Sequence, residues 1–199
     1  GYGMGLTLGG ARAGYKGHVP KLKESDDEQF RLRRATVNDL SFITKTYELG
    51  MRRYLVTCIR DDALWRYELE GKTDRNVNRR ELRVIETTGG EPVGFVAHGP
   101  RLWQGKIGLM LYELKPGVSW LAVTPAVARH LWTLGEEWAA QNPEQALEQF
   151  AFWLGAEHPA YQVFGHQLPE TRQPYAWYVR IADLPRFLWH LAPVLDRRL

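Results

Sequence analysis

Residues Ser119–Trp138, SWLAVTPAVARHLWTLGEEW, are the stretch on which the fold of this chain depends. The four apolar residues 120–123 have the composition of a short buried strand. Thr124 is a favourable residue at a helix N-cap, and Pro125 follows where proline is best tolerated, at the first helical position. Apolar residues then recur at helical spacing up to Trp138. We therefore predict a strand over 118–123 that passes directly into a helix, as in a crossover unit packed on a sheet.

The segments before this stretch predict strands and two helices. Residues 30–35 alternate like a half-buried strand, and Thr36 to Asp39 resemble a capping box at the start of a helix that runs to about Gly50. A second helix is predicted over 61–70 and a polar loop over 71–80. The hairpin pattern consists of 82–86 and 92–97 around Gly89-Gly90, and a further strand follows over 107–114.

The segments after it continue the alternation of strands and helices. Residues 149–154 predict a buried strand, 158–168 a short helix and 174–181 a long strand. Asp183 is positioned to cap a last helix with Pro185 in its first turn.

A strand that ends in Leu121-Ala122-Val123-x-Pro125 and leads into a helix resembles the central unit of the GCN5-related N-acetyltransferases (GNAT). The order of elements over about 30–182 is also that of this superfamily. The resemblance implies an α/β (α+β) fold with a central mixed, mostly antiparallel sheet flanked by helices. It also implies a glycine-rich turn, Arg/Gln-x-x-Gly-x-Gly/Ala, whose backbone N–H groups hold the pyrophosphate of acetyl-CoA at the helix start.

The sequence departs from that pattern at the two glycine positions. Counted from Pro125, they are occupied by Leu131 and Thr133, whose side chains exclude the close backbone approach that glycine allows. We therefore predict that the donor site is absent or degenerate. Thr-Pro-x-x-x-x-x-Leu-Trp, ending at Trp132, and the Arg-x-x-x-x-Trp element of Arg60 and Trp65 resemble the second, degenerate domain of Eis-like two-domain acetyltransferases.

The resemblance also bears on the domain boundaries. Gly1-Tyr2-Gly3 is similar to the end of a GNAT domain, so residues 1–29 are interpreted as the last strand of a preceding GNAT domain plus a linker over 9–29. Residues 30–199 are interpreted as a GNAT-like domain with a C-terminal helix. The alternative is that 1–8 form a native N-terminal strand. In either case we expect residues 1–8 to pair with an edge strand.

Three residues are candidates for the chemistry that the resemblance implies. Glu113, near the end of a strand, is a candidate general base, although strand glutamates are usually surface residues. Tyr161, in the helix after strand 149–154, is a candidate acid, although tyrosines at such positions usually serve packing. Arg129 could offer one contact to a phosphate. No histidine–glutamate spacing typical of a metal site is present, so no metal is expected.

Composition narrows the class of protein. Among 199 residues, 44% are hydrophobic, which is enough for a full core, and the net charge of +3 is too small to indicate a nucleic-acid partner. No apolar run approaches the ~18 residues of a membrane span. Cys58 is the single cysteine; it suits a reducing cytoplasm, and we expect it to be a small buried side chain.

The leading hypothesis is a part of an N-acetyltransferase that transfers acetyl from acetyl-CoA to an amine of unknown identity. This part would be the non-catalytic second domain, which forms a wall of the acceptor pocket and makes contacts in a homo-oligomer, and it would not itself hold acetyl-CoA. The alternatives are a stand-alone active GNAT enzyme with an atypical donor loop, and a non-catalytic ligand-sensing or interaction module.

Overall fold

The computed structural model describes residues 2–5, 11–54, 57–142, 144–155, 158–172 and 177–198. Its strands and α-helices follow in the order β1 (Tyr2–Gly5), β2 (Ala11–Gly14), β3 (Phe30–Arg34), α1 (Leu40–Met51), α2 (Asp62–Arg66), β4 (Glu81–Thr87), β5 (Pro92–His98), β6 (Lys106–Leu114), α3 (Trp120–Gln141), β7 (Gln149–Phe152), α4 (Ala160–Phe164), β8 (Glu170–Arg172), β9 (Trp177–Arg180) and α5 (Leu184–Leu195). A π-helical turn, Tyr67–Gly71, extends α2, and short 3-10 turns cover Lys16–His18, Val37–Asp39 and Gly165–Gln167.

Seven of these strands form one sheet in the order β3-β4-β5-β6-β7-β2-β8. Adjacent strands of this sheet run antiparallel to each other, except for β6 and β7, which run parallel. This is the predicted mixed, mostly antiparallel sheet. The hairpin, strand β3 and both early helices lie close to the predicted positions, because each is encoded by local alternation, a turn or a cap.

Helices cover both faces of the sheet. Residues of α1 and α2 form one apolar cluster with Leu82, Phe95 and Ala97. The larger cluster lies on the opposite face, where α3 and α4 cover β6 and β7. Because the two clusters lie on opposite faces of the sheet, β5 and β6 have buried side chains on both faces, as expected for central strands.

The predicted strand over 118–123 is wrong. Ser119 is the N-cap of α3, and its hydroxyl accepts a hydrogen bond from the Ala122 N–H at 3.4 Å. The helix therefore begins at Trp120, and Pro125 lies in its second turn rather than at its first position. Strand β6 takes the central place instead, because the connection from Leu114 to Ser119 is too short to hold another strand.

The N-terminal segment contributes one strand to the seven-stranded sheet and one strand to a separate two-stranded sheet, β1-β9. β1 pairs antiparallel with β9, which confirms the predicted pairing for residues 2–5; residues 6–8 lie outside the described part. Residues 11–14, predicted as linker, instead form β2 between β7 and β8. The boundary at residue 29 and a preceding domain stay predictions.

Two other expectations change. The predicted strand over 174–181 is described only from Trp177, as β9; residues 174–176 lie outside the described part. Cys58 is exposed rather than buried, since it lies in the irregular segment before α2. No helix in the described ranges combines the length and apolar character needed to cross a membrane.

Candidate functional site

The parallel strands β6 and β7 separate before β6 ends. They pair from Lys106 opposite Gln149 to Leu109 opposite Phe152. The Trp153 N–H still donates to the Leu109 carbonyl at 2.8 Å, but β6 continues to Leu114 while β7 ends at Phe152. The carboxyl ends of neighbouring parallel strands are the usual place for a ligand crevice in an α/β sheet. We refer to the space between residues 110–114 on one side and residues 153–155 and 158–161 on the other as the crevice.

A histidine takes the place of a strand partner in the crevice. His158 Nε2 donates to the carbonyl of Tyr112 at 2.7 Å, and its Nδ1 accepts from the Ala160 N–H at 3.2 Å. These two bonds require the neutral tautomer with the proton on Nε2. Burial, aided by the nearby charge of Arg53, lowers the pKa of His158 to about 3, although the bond to Tyr112 opposes that fall.

Aromatic rings fill the remaining space. The Tyr112 ring stacks on His158 with centroids 5.7 Å apart. The Trp120 ring meets both edge-on, at 4.8 Å from Tyr112 and 5.0 Å from His158. The Tyr112 hydroxyl shares a hydrogen bond of 3.1 Å with Thr124 Oγ1 in α3, and burial raises the pKa of this tyrosine. Side chains of the chain itself therefore occupy part of the crevice.

Glu113 faces α1 from the end of β6. The Arg53 guanidinium donates to both of its carboxylate oxygens at 2.6 Å. Burial raises the pKa of Glu113, and the charge of Arg53 opposes that rise. Gly50 of α1 packs against this carboxylate so closely that a Cβ there would lie 2.2 Å from it. Both oxygens of the candidate base are thus held in a buried ion pair.

Tyr161 lies in α4 at the end of β7. Its hydroxyl donates to the Phe152 carbonyl at 2.6 Å and accepts from the Leu154 N–H at 3.2 Å. Burial raises its pKa to about 12, which disfavours the phenolate. Tyr54 adds a third bond here, from its hydroxyl to the Leu154 carbonyl at 2.9 Å. The structure therefore brings Glu113 and Tyr161 to the same end of the sheet, linked through Arg53 and Tyr54.

Arg129 lies elsewhere, on the side of α3 that contacts the N-terminal segment. It forms a bidentate ion pair with Glu28, at 2.7 and 2.9 Å, and donates to the Pro20 carbonyl at 3.2 Å. The neighbouring cavity of about 390 Å³ is also lined by Asp26 and Asp27. Acidic side chains there oppose a phosphate, so Arg129 serves to hold residues 20–28 against α3.

The connection from β6 to α3 is a tight turn. The Val118 N–H donates to the Lys115 carbonyl at 3.2 Å, and Gly117 has a φ of +83°. Proline at the second position and glycine at the third are typical of a type II turn. The N–H of Lys115 is bonded to Val93 and that of Val123 to Ser119. Leu131, by contrast, is buried in the core about three turns into α3.

Several solved structures share this architecture. A probable N-acyltransferase from Enterococcus faecalis V583 has a TM-score of 0.58 and 15% identity, with 93% of this chain and 42% of that chain covered. GCN5-related N-acetyltransferases from Kribbella flavida (TM-score 0.52, 16% identity, 93% and 40% covered) and Anabaena variabilis ATCC 29413 (0.52, 11%, 92% and 42%) are also similar. No family model matches the sequence, and no curated protein matches it.

The chain has the GNAT fold. It spans about two fifths of the length of these three structures. The parallel pair β6 and β7, with α3 between them in the chain, is the central unit of this fold in the present structure. The sequence-based prediction put the central strand at 118–123 rather than at β6, because it assigned the first turn of α3 to a strand.

The GNAT fold implies acetyl-CoA, and the residues present do not fit it. A pyrophosphate at the start of α3 needs several backbone N–H groups directed at one point. Here the connection is a type II turn, and the Trp120 ring lies in the crevice beside it. Leu131 and Thr133 play no part, because they lie beyond the first turns of α3.

Sequence reasoning missed the residues that lie in or beside the crevice of this GNAT fold: Arg53, Tyr54, Tyr112, Trp120 and His158. The spacing of the histidines bears only on a metal site, and no cluster of metal-ligating side chains occurs among the described residues. The bond between Tyr112 and His158 joins residues 46 positions apart. No local pattern encodes such a contact, and only the proline after His158 marks the turn that presents it.

Proposed function

We propose that this chain is the non-catalytic second GNAT domain of an Eis-like N-acetyltransferase. The whole protein would transfer acetyl from acetyl-CoA to an amine, through a donor site in another part of the molecule. One observation carries the proposal: His158 is bonded to the Tyr112 carbonyl, and with Trp120 it occupies the crevice where the strands separate. A catalytic domain would leave that space to the donor.

The proposed role is structural: the domain forms a wall of the acceptor pocket and makes contacts in a homo-oligomer. The exposed apolar side chains of α5 support the second part of this role. They include Leu184, Phe187, Leu188 and Trp189, of which Trp189 is 80% exposed. Apolar side chains clustered on one exposed helix are typical of a protein interface.

Calorimetric titration of the 199-residue chain with acetyl-CoA tests the proposal. We expect a dissociation constant weaker than ~1 mM, equivalent to less than ~4 kcal/mol of binding energy. Replacing Leu131 and Thr133 with glycine is not expected to restore binding, because both lie within α3 rather than in the connection before it. A micromolar dissociation constant for the unmodified chain would overturn the proposal in favour of an active enzyme with an atypical donor loop.

A further inference from the structure

A cluster of charged side chains lies between α1, the π-helical turn after α2 and the start of β4, away from the crevice. Among the described residues of this cluster, the only buried carboxylate is that of Glu68, whose side chain belongs to a residue that is 4% exposed. Lys72 donates to both oxygens of Glu68, at 2.7 and 2.8 Å. Arg60 lies 3.5 Å from the same carboxylate. Glu68 is therefore already neutralised by its nearest cation.

Arg60 is held by aromatic rings rather than by further hydrogen bonds. Its guanidinium lies 4.9 Å from the ring centroid of Trp65 and 5.7 Å from that of Tyr47. Its Nε and NH1 atoms are buried and have no hydrogen-bond partner among the described residues. Such stacking fixes the guanidinium, and the carboxylate nearest to its charge is Glu68, which Lys72 already contacts.

Arg80 is the third cation of the cluster. Its Nε is buried and has no hydrogen-bond partner among the described residues. Burial lowers its pKa, and the charge of Arg60 acts in the same direction, whereas Glu68 acts against both. An arginine stays charged at any physiological pH. Three cations, Arg60, Lys72 and Arg80, thus share the charge of Glu68, and the surplus is positive.

A cavity of about 350 Å³ opens beside this surplus. Arg80, Arg79 and Arg34 line it together with Glu70 and Glu81. Glu81 is already close to Arg34, at 3.7 Å, and to Arg83, at 3.5 Å, and Arg79 pairs with Asp74. Arg80 is therefore the cavity-lining cation whose charge has no ion-pair partner within the described part of the chain.

The cavity also has apolar walls. These are formed by Leu69, Leu82 and Val37. Leu69 and Glu70 belong to the π-helical turn, a rare conformation that occurs frequently at functional sites. An occupant that suits these walls is a small molecule with one multiply charged end and an apolar body.

We propose that this cavity binds a phosphate group, either free or as the monoester of a small apolar alcohol, with the Arg80 guanidinium as its principal contact. A phosphate dianion supplies the negative charge that the cluster lacks, and guanidinium groups bind phosphate oxygens in a bidentate manner. The site is separate from the crevice and does not depend on acetyl-CoA.

Chemical-shift mapping of the ¹⁵N-labelled chain at constant ionic strength tests this site. Inorganic phosphate and phenyl phosphate are titrated separately. We expect saturable shifts at residues 34–37 and 79–82, with a dissociation constant of about 1 mM for phosphate and a lower one for phenyl phosphate. Tighter binding of the ester would identify the monoester as the preferred form, and equal binding would identify free phosphate.

The variant Arg80→Gln should weaken binding about ten-fold or more, because it removes a charge-assisted contact. Arg75→Gln is the matched control, since Arg75 is exposed in the same loop and does not line the cavity. Absence of saturable shifts at these residues in the wild-type chain would overturn the site, as would equal binding by the Arg80 variant. If that variant fails to fold, the wild-type map alone decides.

Discussion

His158 shows at the scale of one residue how a side chain replaces a strand. The Tyr112 carbonyl loses its neighbour where β6 and β7 separate, and a buried carbonyl without a partner is costly. The imidazole supplies the donor at 2.7 Å and remains neutral because it is buried. Glu113, the residue after Tyr112 in β6, is neutralised instead by Arg53.

The variant His158→Leu should lose about 1–3 kcal/mol of unfolding free energy at pH 7, since the Tyr112 carbonyl loses its donor. The loss should shrink on acidification. The wild-type histidine has a folded pKa of about 3 against about 6.5 in the unfolded chain, so its contribution to stability falls as the pH drops below 6.5. At pH 5 the difference in unfolding free energy between the wild type and His158→Leu should therefore be smaller than at pH 7, by about 2 kcal/mol.

Urea titrations of both proteins between pH 5 and pH 7.5 measure this difference. His190→Gln is the control, because His190 is exposed in α5. A wild-type advantage over His158→Leu that stays constant from pH 7 to pH 5 would show that the buried neutral imidazole is misassigned.

Gly50 provides a second prediction at the same scale. Alanine is favoured over glycine within a helix by about 1 kcal/mol, but a Cβ at Gly50 would lie 2.2 Å from the Glu113 carboxylate. That carboxylate is buried and held by Arg53, so Gly50→Ala should destabilise the protein by about 1–3 kcal/mol. Thermal unfolding monitored by circular dichroism measures it. In Gly17→Ala the new Cβ has open space and the change should be near zero; a stabilised Gly50→Ala protein would refute the packing.

At the scale of elements, α3 and β6 show where the sequence is informative and where it is not. Helical spacing after Val123 correctly predicts α3, because apolar periodicity persists over several turns. For residues 120–123 the sequence predicts a strand wrongly, because a short apolar run fits a strand and a helical turn equally well. Ser119 and Thr124 are both good caps, and the choice between them depends on where β6 ends, which is a property of sheet pairing.

In the candidate site, too, local sequence patterns predict the elements but not the contacts between distant segments. Glu113 and Tyr161 were selected from their places in predicted elements, and both elements exist. Their partners Arg53, Phe152 and Leu154 come from segments that local patterns cannot bring together. Whether either residue has a catalytic role stays a prediction, and the bonds that both already make oppose one.

The packing of α3 on the sheet gives a prediction for Trp132. This side chain is 8% exposed and meets the Phe150 ring edge-on at 6.3 Å. Trp132→Ala should cost about 3–5 kcal/mol, because the cavity is only partly refilled. Chemical denaturation measures the loss. Thr133→Ala is the matched control on the exposed side of α3; a Trp132→Ala protein that melts within a degree or two of wild type would show that the helix faces another way.

At the scale of the whole molecule, the chain combines a crevice that its own side chains occupy with a helix, α5, whose apolar side chains are exposed. All residues of α5 lie outside the two core clusters. An amphipathic helix without a covering layer reaches stability by packing on another surface. In the proposed role that surface is a second copy of the chain.

Light scattering across a concentration series tests this association. We expect the wild-type chain to dimerise at about 100 µM or below. Leu188→Glu should shift the chain to a monomer, because it places a charge among the apolar side chains of α5. Arg186→Glu is the matched control at a polar position of the same helix. A wild-type chain that stays monomeric up to millimolar concentration would remove the homo-oligomer from the proposed role.

The central claim is that the chain's own side chains occupy the crevice. Long-range ¹H–¹⁵N spectra of the His158 imidazole, recorded with and without acetyl-CoA, test it most directly. We predict a slowly exchanging proton on Nε2, a neutral ring down to about pH 3, and no change in either nitrogen shift with 1 mM acetyl-CoA. An imidazole that titrates near pH 6.5, or whose shifts respond to micromolar acetyl-CoA, would contradict the claim and show that the crevice is open to a donor.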